Sequence, residues 1–295
     1  MIIVKVPATT ANIGPGFDSL GIALNIYNEF YFEEIKEGKN VIFQGCLDEF
    51  ANEDNMVYKA FKKVFEKLGR KIPSVSIGMK CDIPISRGLG SSAACILGGV
   101  LGANAIAGNI FSKEEVLEIA TEIEGHPDNL APALYGGLTV SLEKDKKIIT
   151  QQIWISEDLG FSAVIPEYRL STKESRGVLP KKIDYSDAVF NIGRSLMLIS
   201  GFANDNKEAI AMACEDKLHQ PYRSRLIKNY DEIEARSKSL GALGVFLSGA
   251  GPTVMTIFEK QDKRFFDNFK KDIEDIDINF DVKLLEVDRI GAFIK

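Results

Sequence analysis

Histidine and cysteine are scarce in this chain of 295 residues: two histidines, His126 and His219, and four cysteines, Cys46, Cys81, Cys95 and Cys214. The cysteines are scattered and none falls in a C-x-x-C pair, which argues against a disulfide framework and against a structural zinc site. Long apolar runs are also missing. The longest weakly polar stretch, residues 93–108, is too short for a bilayer, is rich in Gly and Ala, and contains Asn104. The opening Met1-Ile-Ile-Val-Lys-Val-Pro7 lacks the basic start, apolar stretch and small-residue cleavage site of a secretory leader, so a cytoplasmic location is expected. Positive charge is not in excess: the formal net charge is −6, whereas a polyanion partner calls for a basic face, so neither a nucleic-acid nor a membrane partner is expected. Anionic ligands must then be met by a local pocket of Arg, Lys, metal and backbone amides. A Walker A loop, G-x-x-x-x-G-K-[ST], occurs nowhere, and neither does an internal repeat or a low-complexity segment.

The composition that is present, 45% hydrophobic and 26% charged, is that of a folded globular protein, over a length that favours two packed domains. The pattern places strands at Ile2 to Val6, closed by Pro7, and at Asn25 to Ile35. A helix over Asn55 to Leu68 is stopped by Gly69, and Val75 to Cys81 returns to strand. Helices follow to about Ile106 and over Lys113 to Glu124, then a strand over Gly136 to Leu142. Charged Glu143-Lys-Asp-Lys-Lys147 and Ser156-Glu-Asp-Leu-Gly160 mark loops around a short strand. They put a boundary between domains of residues 1–157 and 158–295, with no Pro/Gly/Ser linker to separate them. Beyond it come a strand at Phe161 to Ile165, a capping box at Ser171 to Glu174, and a helix over Ala188 to Phe202. Strands at Gly244 to Ser248, Thr253 to Phe258 and Val282 to Val287 complete an α+β mixture.

Four segments carry chemistry. In Gly88-Leu-Gly-Ser-Ser-Ala93 two glycines admit close backbone approach, and two serines open a helix whose free N–H groups suit an anion. A glycine turn with serine caps explains the same residues structurally. The dinucleotide pattern G-x-G-x-x-G/A is met only superficially, because Pro84 and Arg87 intervene after the strand and the loop lies well inside the chain. Pro7-Ala-Thr-Thr-Ala-Asn-Ile-Gly-Pro-Gly-Phe-Asp18 is either a rigid turn or a setting for Asn12 and Asp18 to bind a polar substrate. Glu124-Gly-His-Pro-Asp-Asn129 groups two carboxylates and an imidazole, as phosphoryl transfer requires for a divalent ion and a held hydroxyl. A helix end followed by an Asp-Asn cap is the alternative there. Leu247-Ser-Gly-Ala-Gly-Pro-Thr253 is a glycine turn, a hairpin or a second backbone cradle. Arg176 and Arg223 lie in loop contexts, as solvated charges or as bidentate partners of a substrate carboxylate.

These segments, in this order, resemble the GHMP kinase family over almost the whole chain. Residues 84–94 resemble its central phosphate motif and residues 247–253 its C-terminal glycine motif. Residues 6–21, His126-Pro-Asp-Asn-Leu-Ala-Pro132 and Leu218-His-Gln-Pro-Tyr-Arg223 resemble the branch acting on homoserine. The resemblance implies an N-terminal mixed-sheet domain with helices and a C-terminal ferredoxin-like α/β sandwich. It also implies ATP-dependent phosphorylation of the L-homoserine hydroxyl, feeding threonine synthesis. By position, Pro84, Ile85, Ser86, Arg87, Gly88, Leu89, Gly90, Ser91, Ser92, Ala93 and Ala94 would meet ATP phosphates, with Gly249 and Gly251 in the second loop. Asn55 would touch the nucleotide or cap a helix. Ser91 or Ser92, with Glu124, would hold Mg²⁺. Asn12, Asp18, His126, Asp128, Asn129, Arg176 and Arg223 would surround homoserine, and Asp18, Glu124, Asp128 and Asn129 form the expected catalytic group. A mevalonate- or shikimate-type kinase and a silent nucleotide sensor are the competing expectations, and a homodimer is left open.

Overall fold

The computed structural model describes residues 1–36 and 39–295. The first sheet opens with β1 (Ile2–Ala11), which does not close at Pro7. Pairing with β2 (Leu20–Glu34) continues to Ala11, with a register irregularity between Pro7 and Ala8. Proline has no N–H for the ladder, and an irregularity in register is where that lack is tolerated. β2 starts ahead of the expected Asn25 because Leu20 to Leu24 are all buried, so no period-two alternation announces them.

β3 (Val41–Gln44) runs parallel to β4 (Val75–Cys81), which lies antiparallel to the later part of β2. β5 (Leu138–Lys144) pairs with the first part of β2 and forms a hairpin with β6 (Lys147–Ile153). The charged stretch 143–147, expected as a loop, is that hairpin's tip, with Asp145 and Lys146 at φ 53° and 66°. Helices α1 (Met56–Lys67), α2 (Ser91–Ile106), α3 (Lys113–Glu124) and α4 (Leu130–Tyr135) pack with this sheet. In α2 nearly every residue from Ala93 to Asn104 is buried, as befits a helix apolar all round.

The second sheet begins at β7 (Leu159–Ile165). Five helices follow: α5 (Thr172–Gly177), α6 (Tyr185–Ala203), α7 (Lys207–Ala213), α8 (Gln220–Arg223) and α9 (Tyr230–Ser239). Then come β8 (Gly244–Leu247), β9 (Val254–Glu259), α10 (Phe265–Glu274) and β10 (Asp281–Leu285). The spatial order β10-β7-β9-β8, antiparallel throughout, is the ferredoxin-like arrangement that was expected. β10 ends before Val287, which makes only an isolated bridge to Leu24. β11 (Phe293–Ile294) returns to pair with β1. One apolar core runs through both sheets, joining Val4, Phe30 and Leu97 to Phe161, Phe246 and Met255. A second cluster, including Ile233, Phe265 and Phe269, lies beneath α9 and α10. Among the described residues, no helix is long and apolar enough to cross a membrane.

Candidate active site

A cavity of about 850 Å³ opens where the loops of the two sheets converge. Its floor is the loop from β4 into α2. Gly88 and Gly90 stand at φ 79° and 71°, and a Cβ on either would collide, with the Ser248 carbonyl oxygen and with Thr9 Oγ1 respectively. The loop is thus packed directly on β1 and on the 248–253 turn. Thr9 N–H donates to Leu89 O at 3.2 Å, and Ser248 Oγ lies 2.6 Å from Gly88 O and 2.8 Å from Thr10 Oγ1. The N-terminus of α2 has no side-chain cap, which leaves its first N–H groups without a side-chain partner, and Gly90, Ser91 and Ser92 at that end line the cavity.

Of the residues expected at the phosphates, Ile85, Ser86, Arg87, Gly88, Gly90, Ser91 and Ser92 line the cavity. Pro84 does not, and Leu89, Ala93 and Ala94 are buried in the core instead. The Arg87 guanidinium is engaged elsewhere: Nε donates to Pro166 O at 2.7 Å, Nη1 to Ile85 O at 2.9 Å, and Nη2 to Glu167 O. Asn55 takes the capping role. Its Oδ1 accepts from Val57 N at 2.9 Å and caps α1, and the residue also lines the cavity.

Sequence reasoning missed one wall of the cavity, built from Cys46, Met56, Met79, Cys81, Ile83 and Cys95. Burial pushes the Cys95 thiol up to about 12, so it stays protonated, and with the thioethers it makes the wall an apolar, polarizable surface. Such a surface suits a flat heteroaromatic ring. No motif marks it, because these residues are generic apolar positions on separate elements.

At the end of α3, Glu124 Oε2 accepts from Ser92 Oγ at 2.6 Å. Burial raises the Glu124 carboxyl above the usual range, partly opposed by Ser92 and His126. His126 Nδ1 lies 2.8 Å from Asp128 Oδ1, and that bond raises the imidazole above its usual range. Asn129 stands at the start of α4 but makes no cap. Its amide donates to Asp128 Oδ1 at 3.2 Å, and its Oδ1 accepts from Thr9 Oγ1 at 2.8 Å.

The remaining expected residues meet across the cavity. Asn12 and Asp18 hold left-handed backbone, φ 72° and 55°, the kind of strain that persists where surrounding structure enforces it. Asn12 Nδ2 donates to Gly249 O at 2.7 Å, and its Oδ1 accepts from Asp18 N at 3.0 Å. Arg176, on α5 behind the expected Ser171/Glu174 capping box, grips Asp18 as a fork, 2.8 and 3.1 Å. Arg223, 2% exposed, donates Nη1 to Gly249 O at 3.1 Å and Nε to Ser175 O at 3.2 Å. Burial and then neighbouring Arg176 pull its pKa down to about 10, so it stays charged at neutral pH. Its placement rests on Asp216, unforeseen from sequence, whose carboxylate accepts from the N–H groups of Leu218, His219 and Gln220 at 3.0, 2.8 and 2.6 Å.

Residues 55–137 match the model of the GHMP kinases N terminal domain, and residues 198–273 that of the GHMP kinases C terminal domain. A homoserine kinase of Clostridium botulinum (strain Kyoto / Type A2) is 49% identical over 294 residues, covering 100% of this chain and 98% of the relative. The crystal structure of homoserine kinase from Cytophaga hutchinsonii superposes with a TM-score of 0.89 at 30% identity, covering 100% of this chain and 97% of that one. The Methanococcus jannaschii mevalonate kinase shares the fold at TM-score 0.70 and 16% identity, covering 97% and 98%. The 49% identity over the full length to a homoserine kinase, with the two domain matches, shows that the chain belongs to the GHMP kinase family, in its homoserine kinase branch.

Proposed function

We propose that the chain transfers the γ-phosphoryl group of ATP to the side-chain hydroxyl of L-homoserine, giving O-phospho-L-homoserine on the route to threonine. One observation carries this reading: a single cavity holds an anion cradle at Ser91 and Ser92 and, facing it, Asn12, Asp18, Arg176 and Arg223. The first suits a triphosphate and the second a zwitterion. The thiol and thioether wall receives the adenine. Arg176 and Arg223 bind the carboxylate, with Asp18 released from its ion pair toward the ammonium. His126, Asp128 and Asn129 hold the hydroxyl. Its oxygen forms the bond to the γ-phosphorus as the bond to the β,γ-bridging oxygen breaks, ADP departs, and the proton leaves on a phosphate oxygen. Positioning and charge neutralisation supply the rate.

Mg²⁺ fits the donor set. Ser92 Oγ and Glu124 are adjacent hard oxygens, with Ser91 beside them, and no cluster of three or more His, Cys, Asp or Glu side chains placed to hold a metal occurs among the described residues. That is the sparse protein contribution expected when substrate phosphates and water complete the shell. When bound, the ion neutralises phosphate charge. A cytoplasmic location accords with four free thiols in an ATP-consuming protein.

A coupled assay of ADP release tests the reading. Turnover of L-homoserine is expected, with little on mevalonate or shikimate, which lack the ammonium; the reverse pattern overturns it. We also propose that the chain pairs with a second copy through α6. Tyr185, Val189, Ile192 and Leu196 recur on one face, 86%, 55%, 60% and 65% exposed, and the exposed positions between Tyr185 and Ser200 carry no charge. With Met197, 51% exposed, these side chains form a continuous apolar stripe of the kind a subunit interface covers. Sedimentation is expected to show a dimer that Leu196→Glu converts to monomer.

A further inference from the structure

Phe17 stands next to Asp18 yet does not line the cavity. Its ring stacks on His219, centroids 5.0 Å apart and planes 17° from parallel. The same ring carries the Arg223 guanidinium carbon at 5.0 Å and that of Arg176 at 5.8 Å from its centroid. Both fall within the roughly 6 Å over which an aromatic face attracts a cation.

Two guanidinium groups aimed at one site repel each other, and the lowering of the Arg223 pKa by Arg176 is the trace of that repulsion. Asp18 offsets it only until a substrate ammonium competes for the carboxylate. The Phe17 ring face, by contrast, never leaves. His219 stacks on the ring without adding a third positive charge. Its Nε2 is 2.8 Å from Gly14 O, its Nδ1 is buried with no partner, and burial holds its pKa down, so the imidazole is neutral.

We propose that Phe17 is a positioning residue for substrate specificity: its ring face, stacked on neutral His219, holds Arg176 and Arg223 together as one receptor for a carboxylate. This rests on the homoserine reading above. A mere core filler would tolerate any apolar side chain of similar size, whereas a cation-binding face requires π electrons. Phe17→Leu is therefore expected to raise KM for L-homoserine about tenfold, with KM for ATP and kcat within about twofold, and Phe17→Tyr to restore the KM. Replacing Phe17 by mono-, di- and trifluorophenylalanine keeps shape and folding while draining the ring quadrupole. KM for homoserine should climb stepwise along that series. A flat series in an active enzyme overturns the positioning role and leaves the kinase reading standing; a wild-type protein inert toward homoserine overturns both.

Discussion

Glu124 shows how a local environment creates a functional group and a cost together. Burial raises its carboxyl above the usual range. A carboxyl whose folded-state pKa is raised stabilises the protein fully below its unfolded value and loses that contribution as pH rises through the folded one. Glu124→Gln is accordingly expected to melt no lower than wild type near pH 7, with that advantage fading below about pH 4.5, the ordinary glutamate range. The same variant should lose roughly a hundredfold or more in kcat, as removal of a charge-stabilising group typically does. Calorimetry across pH and the coupled assay read the two effects separately. From the residues alone Glu124 is marked only by its neighbours His126 and Asp128, and the family resemblance pairs it with Ser91 or Ser92; the bond to Ser92 in particular, across 32 positions, is a product of tertiary packing. Asp216 left no signal at all, since a buried carboxylate serving backbone N–H groups looks in sequence like any surface aspartate.

Strands and helices were most legible where periodicity was clean. α3, with its Ser112 cap and one apolar face, lies where the pattern places it. β1 and β2 were read short, because Pro7 sits at a register irregularity and Leu20 to Leu24 are buried without alternation. The loop between β4 and α2 was legible by composition, but not its reason. Gly88 and Gly90 serve the junction with the 248–253 turn and with Thr9 as much as any ligand. Gly88→Ala must push against the Ser248 carbonyl from a left-handed backbone, so it is expected to raise KM for ATP more than tenfold and to lower Tm by several degrees. Equal KM for ATP in a folded variant would refute that junction's part in nucleotide binding.

The whole chain divides into two sheets but not into two cores. Phe161, Phe246 and Met255 of the second sheet belong to the cluster that contains Val4 and Leu97 of the first. The chain passes from one sheet to the other between β6 and β7, but β11 returns to pair with β1 and the hydrophobic interior is shared, so thermal unfolding is expected as one calorimetric transition. Two resolved peaks would show that the satellite cluster beneath α9 and α10 melts alone. The hydrogen bonds of Arg87 have a mechanical consequence. Its guanidinium grips the carbonyls of Pro166 and Glu167, where the chain leaves β7, and Leu170 N–H donates to Ser86 O at 3.2 Å from the same stretch. The side chain works as a rivet between floor and frame: a phosphate that displaces the loop pulls on the second sheet, and the two halves of the chain share one degree of freedom at that point.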